Sequence, residues 1–217
     1  MADDDRVDTR RVTAVRRRPA RALYDRLSRV YGVLAEPWER RPRRRALELL
    51  SLRPGECVLE VGIGSGADLR TLGRAGCHAW GLDLSMGMLR RAGRLHGARV
   101  VCGDALALPV SGDAFDVVYA SFTLELFATS EIPIVLSEAL RVLRPGGRLG
   151  IVSLTKDDSG RIVRVYEWAH RQFPALVDCR PIDARAALES AGFRISHAAR
   201  DQVSGLPVEI LVGRKPG

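Results

Sequence analysis

Hydrophobic positions along the chain switch between two periods. Five short apolar runs, at Cys57–Val61, Cys77–Leu82, Ala98–Cys102, Phe115–Ala120 and Arg148–Leu154, the fourth of them β-branched, predict buried strands. Between them apolar residues recur three and four apart. This predicts a helix over Ala67–Ala75, one capped by Ser85 with Met86, Leu89 and Leu95, and one over Ser130–Leu143 with Pro133 in its first turn. Gly76 and Pro145-Gly146-Gly147 are the stops. Strands alternating with helices argue for a parallel sheet covered on both faces. Ahead of this block, Leu23, Leu27, Val30, Tyr31 and Leu34 mark a helix from Ala20, interrupted by Pro37. A second helix follows over Trp38–Ser51, with Leu47 and Leu50 inward and Arg40, Arg41, Arg43, Arg44 and Arg45 mostly outward. Beyond it, helices are expected over Ile162–Phe173 and Asp183–Ala191. Strands over Phe193–Ala198 and Pro207–Val212 are joined too tightly to be anything but an antiparallel hairpin. Residues 1–19 are polar, charged and aperiodic, and read as a disordered basic tail.

Length and composition narrow the class. The 217 residues, 46% hydrophobic and 28% charged, suit one globular domain over 20–217. No apolar run is long enough to cross a bilayer, and the acidic then arginine-rich start has no apolar signal core, so a cytoplasmic protein is expected. The four cysteines form no C-x-x-C and lie near no histidine at ligand spacing. Cys57, Cys77 and Cys102 read as small buried residues, and no metal site is expected. The net charge of +8 is lopsided: residues 1–53 hold 15 arginines against 8 acidic residues, whereas the rest is nearly balanced. Since 32 of the 34 basic residues are arginine, this front reads first as a solvated helical face. It lacks a nucleic-acid module, and no nucleic-acid partner is expected.

The chemistry centres on Cys57–Asp68, where an apolar strand runs into Gly62, Gly64 and Gly66 and then into a helix. Glycines there allow a sharp turn and close approach of a ligand, and the helix start favours an anionic group. Asp83, 21 residues after Gly62 at the end of the second strand, is placed to accept both hydroxyls of a ribose. Together these features call for an adenosine-bearing cofactor without saying which.

Five further pieces follow in order: Gly103-Asp104-Ala105, Leu108-Pro109, Phe115-Asp116-Val117-Val118, Ser121-Phe122, and Arg144-Pro145-Gly146-Gly147-Arg148. With the glycine loop they resemble the class I S-adenosylmethionine-dependent methyltransferases over about Ala46–Leu154. Tyr24-Asp25 with Tyr31, Leu84-Ser85-x-x-Met88-Leu89, Ala107-Leu108-Pro109 and Ser121-Phe122-x-Leu124 look most like the C-methyltransferases of ubiquinone and menaquinone biosynthesis. The chain departs from that pattern at Glu125-Leu126, where the family usually carries Arg-Asn. The resemblance implies a doubly wound, Rossmann-like α/β fold, its mostly parallel seven-stranded sheet ending in an antiparallel C-terminal hairpin. Within it, residues 20–53 would form a helical lid, 54–154 the cofactor-binding core, and 155–217 a substrate wall and hairpin.

The resemblance also assigns a cofactor set for S-adenosylmethionine. Gly62, Gly64, Ser65 and Gly66 would cradle the methionine end, Glu60 would face its ammonium, and Asp83 would hold the ribose. Leu84 and Met88 would line the adenine, Asp104 and Ala105 would meet its polar edge, and Ser121 would sit beside the methionine portion. Methyl transfer from a sulfonium needs a general base only if the acceptor must lose a proton. His170, Glu125, Tyr24 and Tyr31 are the candidates, each with a plain structural alternative as a packing, core or capping residue. The expected acceptor is a small lipophilic or aromatic molecule, with quinol C-methylation favoured. N- or O-methylation of a lipid amine or specialised metabolite, a cofactor-binding protein without transferase activity, and an oxidoreductase stay open beside it. The arginine-rich front fits brief contact with an anionic membrane surface.

Overall fold

A computed structural model of the chain describes residues 36–93, 99–155 and 180–217. The expected tail over 1–19, the front helix with Tyr24 and Tyr31, and the helix carrying His170 lie outside the described residues. In chain order the elements are α1 (Glu36–Leu49), β1 (Cys57–Val61), α2 (Ala67–Arg74), β2 (His78–Asp83), α3 (Met86–Ala92), β3 (Arg99–Cys102) and β4 (Phe115–Ser121). A 3₁₀ turn (Leu124–Leu126), α4 (Ile132–Val142), β5 (Leu143–Leu154), α5 (Ala184–Ser190), β6 (Arg194–Val203) and β7 (Leu206–Arg214) follow. The seven strands form one sheet in the order β3-β2-β1-β4-β5-β7-β6. β1 to β5 are parallel, and β7 runs antiparallel to both its neighbours. The fold is therefore the Rossmann-like, mostly parallel sheet with an antiparallel C-terminal hairpin that the sequence implies.

Alternation along the strands gives each face its own core. Val58, Val117 and Tyr119 pack with Ala46 and Leu50 at the end of α1, Leu69 and Leu72 of α2 and Leu89 of α3. Leu59, Val61 and Val118 point the other way, against Val135, Leu136 and Ala139 of α4 and Leu188 of α5. α1 runs counter to the strands: Arg43 lies 6.0 Å from the Phe122 ring just past β4, while a Cβ on Gly150 inside β5 would meet Leu50 at 2.8 Å. The start of α1 therefore lies at the carboxyl edge of the sheet, where α2, α3 and α4 also begin.

Several local expectations change. Arg43 turns inward rather than out, because two buried carboxylates wait for it. Cys102 is exposed, since β3 is an edge strand, and Cys57 is only partly buried, at the first residue of β1; Cys77 is buried as expected. Pro145-Gly146-Gly147 does not end the ladder. β5 starts at Leu143, and these residues form a bulge between the pairs Phe115–Leu143 and Val117–Arg148. The C-terminal strands are longer than the apolar pattern shows, and they join through Ser204-Gly205, both at positive φ (50° and 80°), as in a type I′ hairpin turn.

Candidate active site

The strand order reverses between β1 and β4, which opens a crevice at their carboxyl ends, the place where such sheets bind ligands. The glycine loop forms one wall. Gly62, Gly64 and Gly66 have φ of 74°, 51° and 76°, and Gly66 is the residue from which α2 starts. The Gly62 N–H donates to the Leu82 carbonyl at 2.8 Å, fastening the loop to the end of β2. Asp83 fastens it again. Its Oδ2 accepts from the Gly64 N–H at 3.1 Å and its Oδ1 from the Ser85 N–H at 2.8 Å. Both bonds fix the Asp83 carboxylate at the carboxyl end of β2, the position from which such folds hold a ribose. Ser85 caps α3 by accepting from the Met88 N–H at 3.2 Å, with Met88 buried and Leu84 half-buried beside it. Past β3, the Gly103 N–H donates to the Asp83 carbonyl at 3.1 Å, and Asp104 Oδ1 closes a short turn by accepting from the Leu106 N–H at 3.0 Å. Ala105 sits buried in that turn, and Ser121 is buried at the end of β4. The structure thus gathers the sequence-assigned cofactor residues onto the carboxyl ends of β1 to β4.

Residues that sequence reasoning missed complete the crevice. Thr123 stands opposite the loop: its Oγ1 lies 3.2 Å from the Val61 carbonyl and 3.0 Å from that of Ser121. A Cβ placed on Gly62 would come within 2.6 Å of both Thr123 Cγ2 and Oγ1. Its only signal in the sequence is its place inside the Ser121-Phe122-x-Leu124 piece. Behind the loop lies a buried charged group. Arg43 bonds Glu39 one turn earlier in α1 and reaches Asp68 of α2 at 3.3 Å. Burial opposes its charge, but Asp68 and then Glu39 hold the guanidinium protonated.

Glu60, register partner of Tyr119, faces this group. It is 2% exposed, the Leu69 N–H donates to its carboxyl, and Oε2 has no hydrogen-bond partner among the described residues. Burial first, then repulsion from Asp68, pushes its pKa well above the usual carboxylate range, with Arg43 pulling the other way. Burial and Asp68 likewise push the Tyr119 phenol up. An unpartnered buried Glu60 oxygen behind the loop, an open flank at Gly64 where a Cβ would meet nothing within 4 Å, and a carboxylate fixed at the end of β2 fit a cofactor that joins an amino acid to a nucleoside.

Of the four proton-handling candidates, Glu125 lies among the described residues. It sits in the 3₁₀ turn beyond β4, 1% exposed. Its Oε1 accepts from the Leu154 N–H at 2.8 Å, and Oε2 has no partner among the described residues. Burial pushes its pKa up to about 8; its own and Leu154's N–H groups pull it back, Glu39 raises it and Arg180 lowers it. It is therefore a neutral acid through most of the physiological range.

Known proteins share this fold. A family model described as a methyltransferase domain matches residues 58–147. A demethylmenaquinone methyltransferase of Renibacterium salmoninarum is 33% identical over 163 residues, covering 72% of this chain and 68% of the relative. Across such relatives the chain spans 47% to 69% of their length. Among solved structures, the 1,6-didemethyltoxoflavin-N1-methyltransferase of Burkholderia thailandensis, bound to 1,6-didemethyltoxoflavin and S-adenosylhomocysteine, superposes with a TM-score of 0.69 at 19% identity, covering 92% of this chain and 89% of that one. The [4+2]-cyclase SpnF reaches 0.72 at 21%, covering 91% and 95%. At these identities the two structures attest the fold alone; the family rests on the longer sequence match. The chain belongs to the S-adenosylmethionine-dependent methyltransferases, enzymes that use that sulfonium compound as methyl donor.

Proposed function

We propose that this chain methylates a ring carbon of a small, lipophilic, quinol-like acceptor. The observation that carries this reading is the reach of the sequence match. Its 163 aligned residues are more than the cofactor half at 46–154 holds, and the relative is named for demethylmenaquinone. S-adenosylmethionine, when bound, supplies an electrophilic methyl group on a sulfonium whose leaving thioether is neutral and stable. The chain's part is to bind, orient and manage one proton. Gly62, Gly64, Ser65 and Gly66 hold the methionine end, Glu60 its ammonium, and Ser121 closes that end from β4. Asp83 takes the ribose, Leu84 and Met88 flank the adenine, and Asp104 with the Ala105 N–H reads the adenine edge. Held orientation of this kind supplies roughly 7–11 kcal/mol of a barrier. A phenol must give up its proton for its ring carbon to attack, and the hydrogen on that carbon then returns to the phenol oxygen as the ring regains aromaticity, so one proton leaves overall; the ionised fraction of Glu125, which grows as pH rises toward 8, would receive it. N- or O-methylation is the second reading, favoured by Glu125-Leu126 standing where the resembling family has Arg-Asn.

Calorimetric titration with S-adenosylmethionine, and separately with NAD, tests the cofactor half. Asp83→Asn should weaken S-adenosylmethionine binding about 10- to 100-fold, since hydrogen bonds to a charged group contribute about 1.5–3 kcal/mol, and NAD should not bind wild type. Methyl-labelled donor with a demethylated quinol then tests the acceptor. Label on a ring carbon supports the proposal, label on oxygen or nitrogen moves it to the second reading, and no transfer to any quinol overturns it.

A further inference from the structure

Among the described residues, four large apolar side chains are exposed: Trp38 (64%), Ile134 (47%), Leu126 (40%) and Met86 (39%). They share one place in the fold. Trp38 is in the first turn of α1, Met86 opens α3, Ile134 is in the first turn of α4, and Leu126 ends the 3₁₀ turn after β4. Each therefore stands at the carboxyl edge of the sheet, on the rim of the crevice just described. α1 and α3 cover one face of the sheet and α4 the other, so the apolar rim runs along both sides of the mouth.

Charge breaks the symmetry between the faces. On the α1–α3 side, Arg40, Arg41, Arg44 and Arg45 of α1, Arg70 of α2 and Arg90 of α3 are all exposed. The exposed acidic side chain described on these helices is Glu48, which pairs with Arg44; Arg41 reaches Asp201. On the other side the charges balance: Arg141 is held by Glu138 and Arg185 by Glu209, and Asp183 and Glu189 are exposed. An apolar rim beside an arginine-covered flank, with a tryptophan where the two meet, is what a protein needs to rest on a bilayer whose surface carries negative charge.

We infer that this chain seats the carboxyl edge of its sheet on an anionic phospholipid surface. Trp38, Met86, Leu126 and Ile134 enter the interfacial layer while the α1–α3 arginines lie against lipid phosphates, so that a lipophilic acceptor passes from the bilayer into the crevice without crossing water. The inference rests on the lipophilic-acceptor reading of the preceding section. Its test needs neither donor nor acceptor, so the two fail separately.

The full-length chain is floated with vesicles of phosphatidylglycerol and phosphatidylcholine, and with phosphatidylcholine alone. Wild type should bind the anionic vesicles at least tenfold better, and the binding should weaken as salt rises. Arg40→Gln/Arg44→Gln/Arg45→Gln should lose at least tenfold of that preference, and Trp38→Ser/Met86→Ser should weaken binding to the anionic vesicles, both with S-adenosylmethionine affinity unchanged by calorimetry. Should a variant misfold, brominated lipid reads the same contact in wild type by quenching its tryptophan emission. Absence of vesicle binding or of quenching, or variants that float as wild type does because the arginines before residue 36 carry the contact, would overturn the inference. So would a short DNA duplex that strips the protein from vesicles at equal phosphate, which would point to nucleic acid instead.

Discussion

At position 62 a single methyl group separates a loop that fits from one that does not. Gly62 holds a left-handed φ of 74°, and its missing Cβ leaves the space that Thr123 fills at 2.6 Å. Gly62→Ala meets both penalties. The backbone strain alone costs roughly 1–3 kcal/mol, and relief requires the loop and the turn after β4 to part. We expect a lower melting temperature together with loss of S-adenosylmethionine binding in calorimetry; a variant that melts and binds as wild type would show that the two walls do not touch. Residues of this kind were legible in the sequence because their chemistry leaves few substitutes. Three spaced glycines after an apolar run and an aspartate at the end of the next strand carry their reasons with them. Thr123 was not legible, since its role lies in a contact with residues about sixty positions earlier.

Elements were legible where the hydrophobic period was clean and obscure where a charge decided the packing. β1, β4 and α2 stand where their apolar spacing puts them, to within a residue or so. α1 is the instructive failure. In a run of five arginines no composition contrast marks the one that turns inward, yet Arg43 is held between Glu39 and Asp68 while its neighbours face solvent. That inward arginine is what couples α1 to the first turn of α2. Arg43→Ala would leave two nearly buried carboxylates without their cation, a loss of about 3–5 kcal/mol by the rule for broken buried pairs, visible in a urea melt. Arg43→Lys should recover part of it, because a lysine keeps the charge but not the fork that spans two acceptors. The bulge in β5 was hidden for a different reason: Pro-Gly-Gly ends many helices, and only the β4 ladder shows that here it also sits within a strand.

For the whole molecule, stability against pH should carry the mark of Glu125. Its carboxyl titrates at about 8 in the folded chain against an ordinary value of 4.5, so the folded state holds the extra proton between those limits. That contribution is complete below about pH 4.5 and is lost as pH rises through 8. Melting temperature should therefore fall across this window. Glu125→Gln, neutral at every pH, should flatten the fall and melt above wild type at pH 8 by about 2–4 °C for each kcal/mol relieved, as scanning calorimetry would show. An unchanged slope would place the proton elsewhere.

The contact between Gly62 and Thr123 also sets an order of events in time. The glycine-loop wall of the crevice comes from residues 57–66 and the facing wall from residues 115–125, and β1 has no neighbour on its β4 side until β4 is made. A chain leaving the ribosome therefore carries its glycine loop for some sixty residues before the strand that shapes it exists, at synthesis rates of about 5–20 residues per second. Through that interval Val61 and Gly62 have β2 on one side and an open sheet edge on the side that β4 will fill. Donor binding is accordingly expected only once β4 has docked.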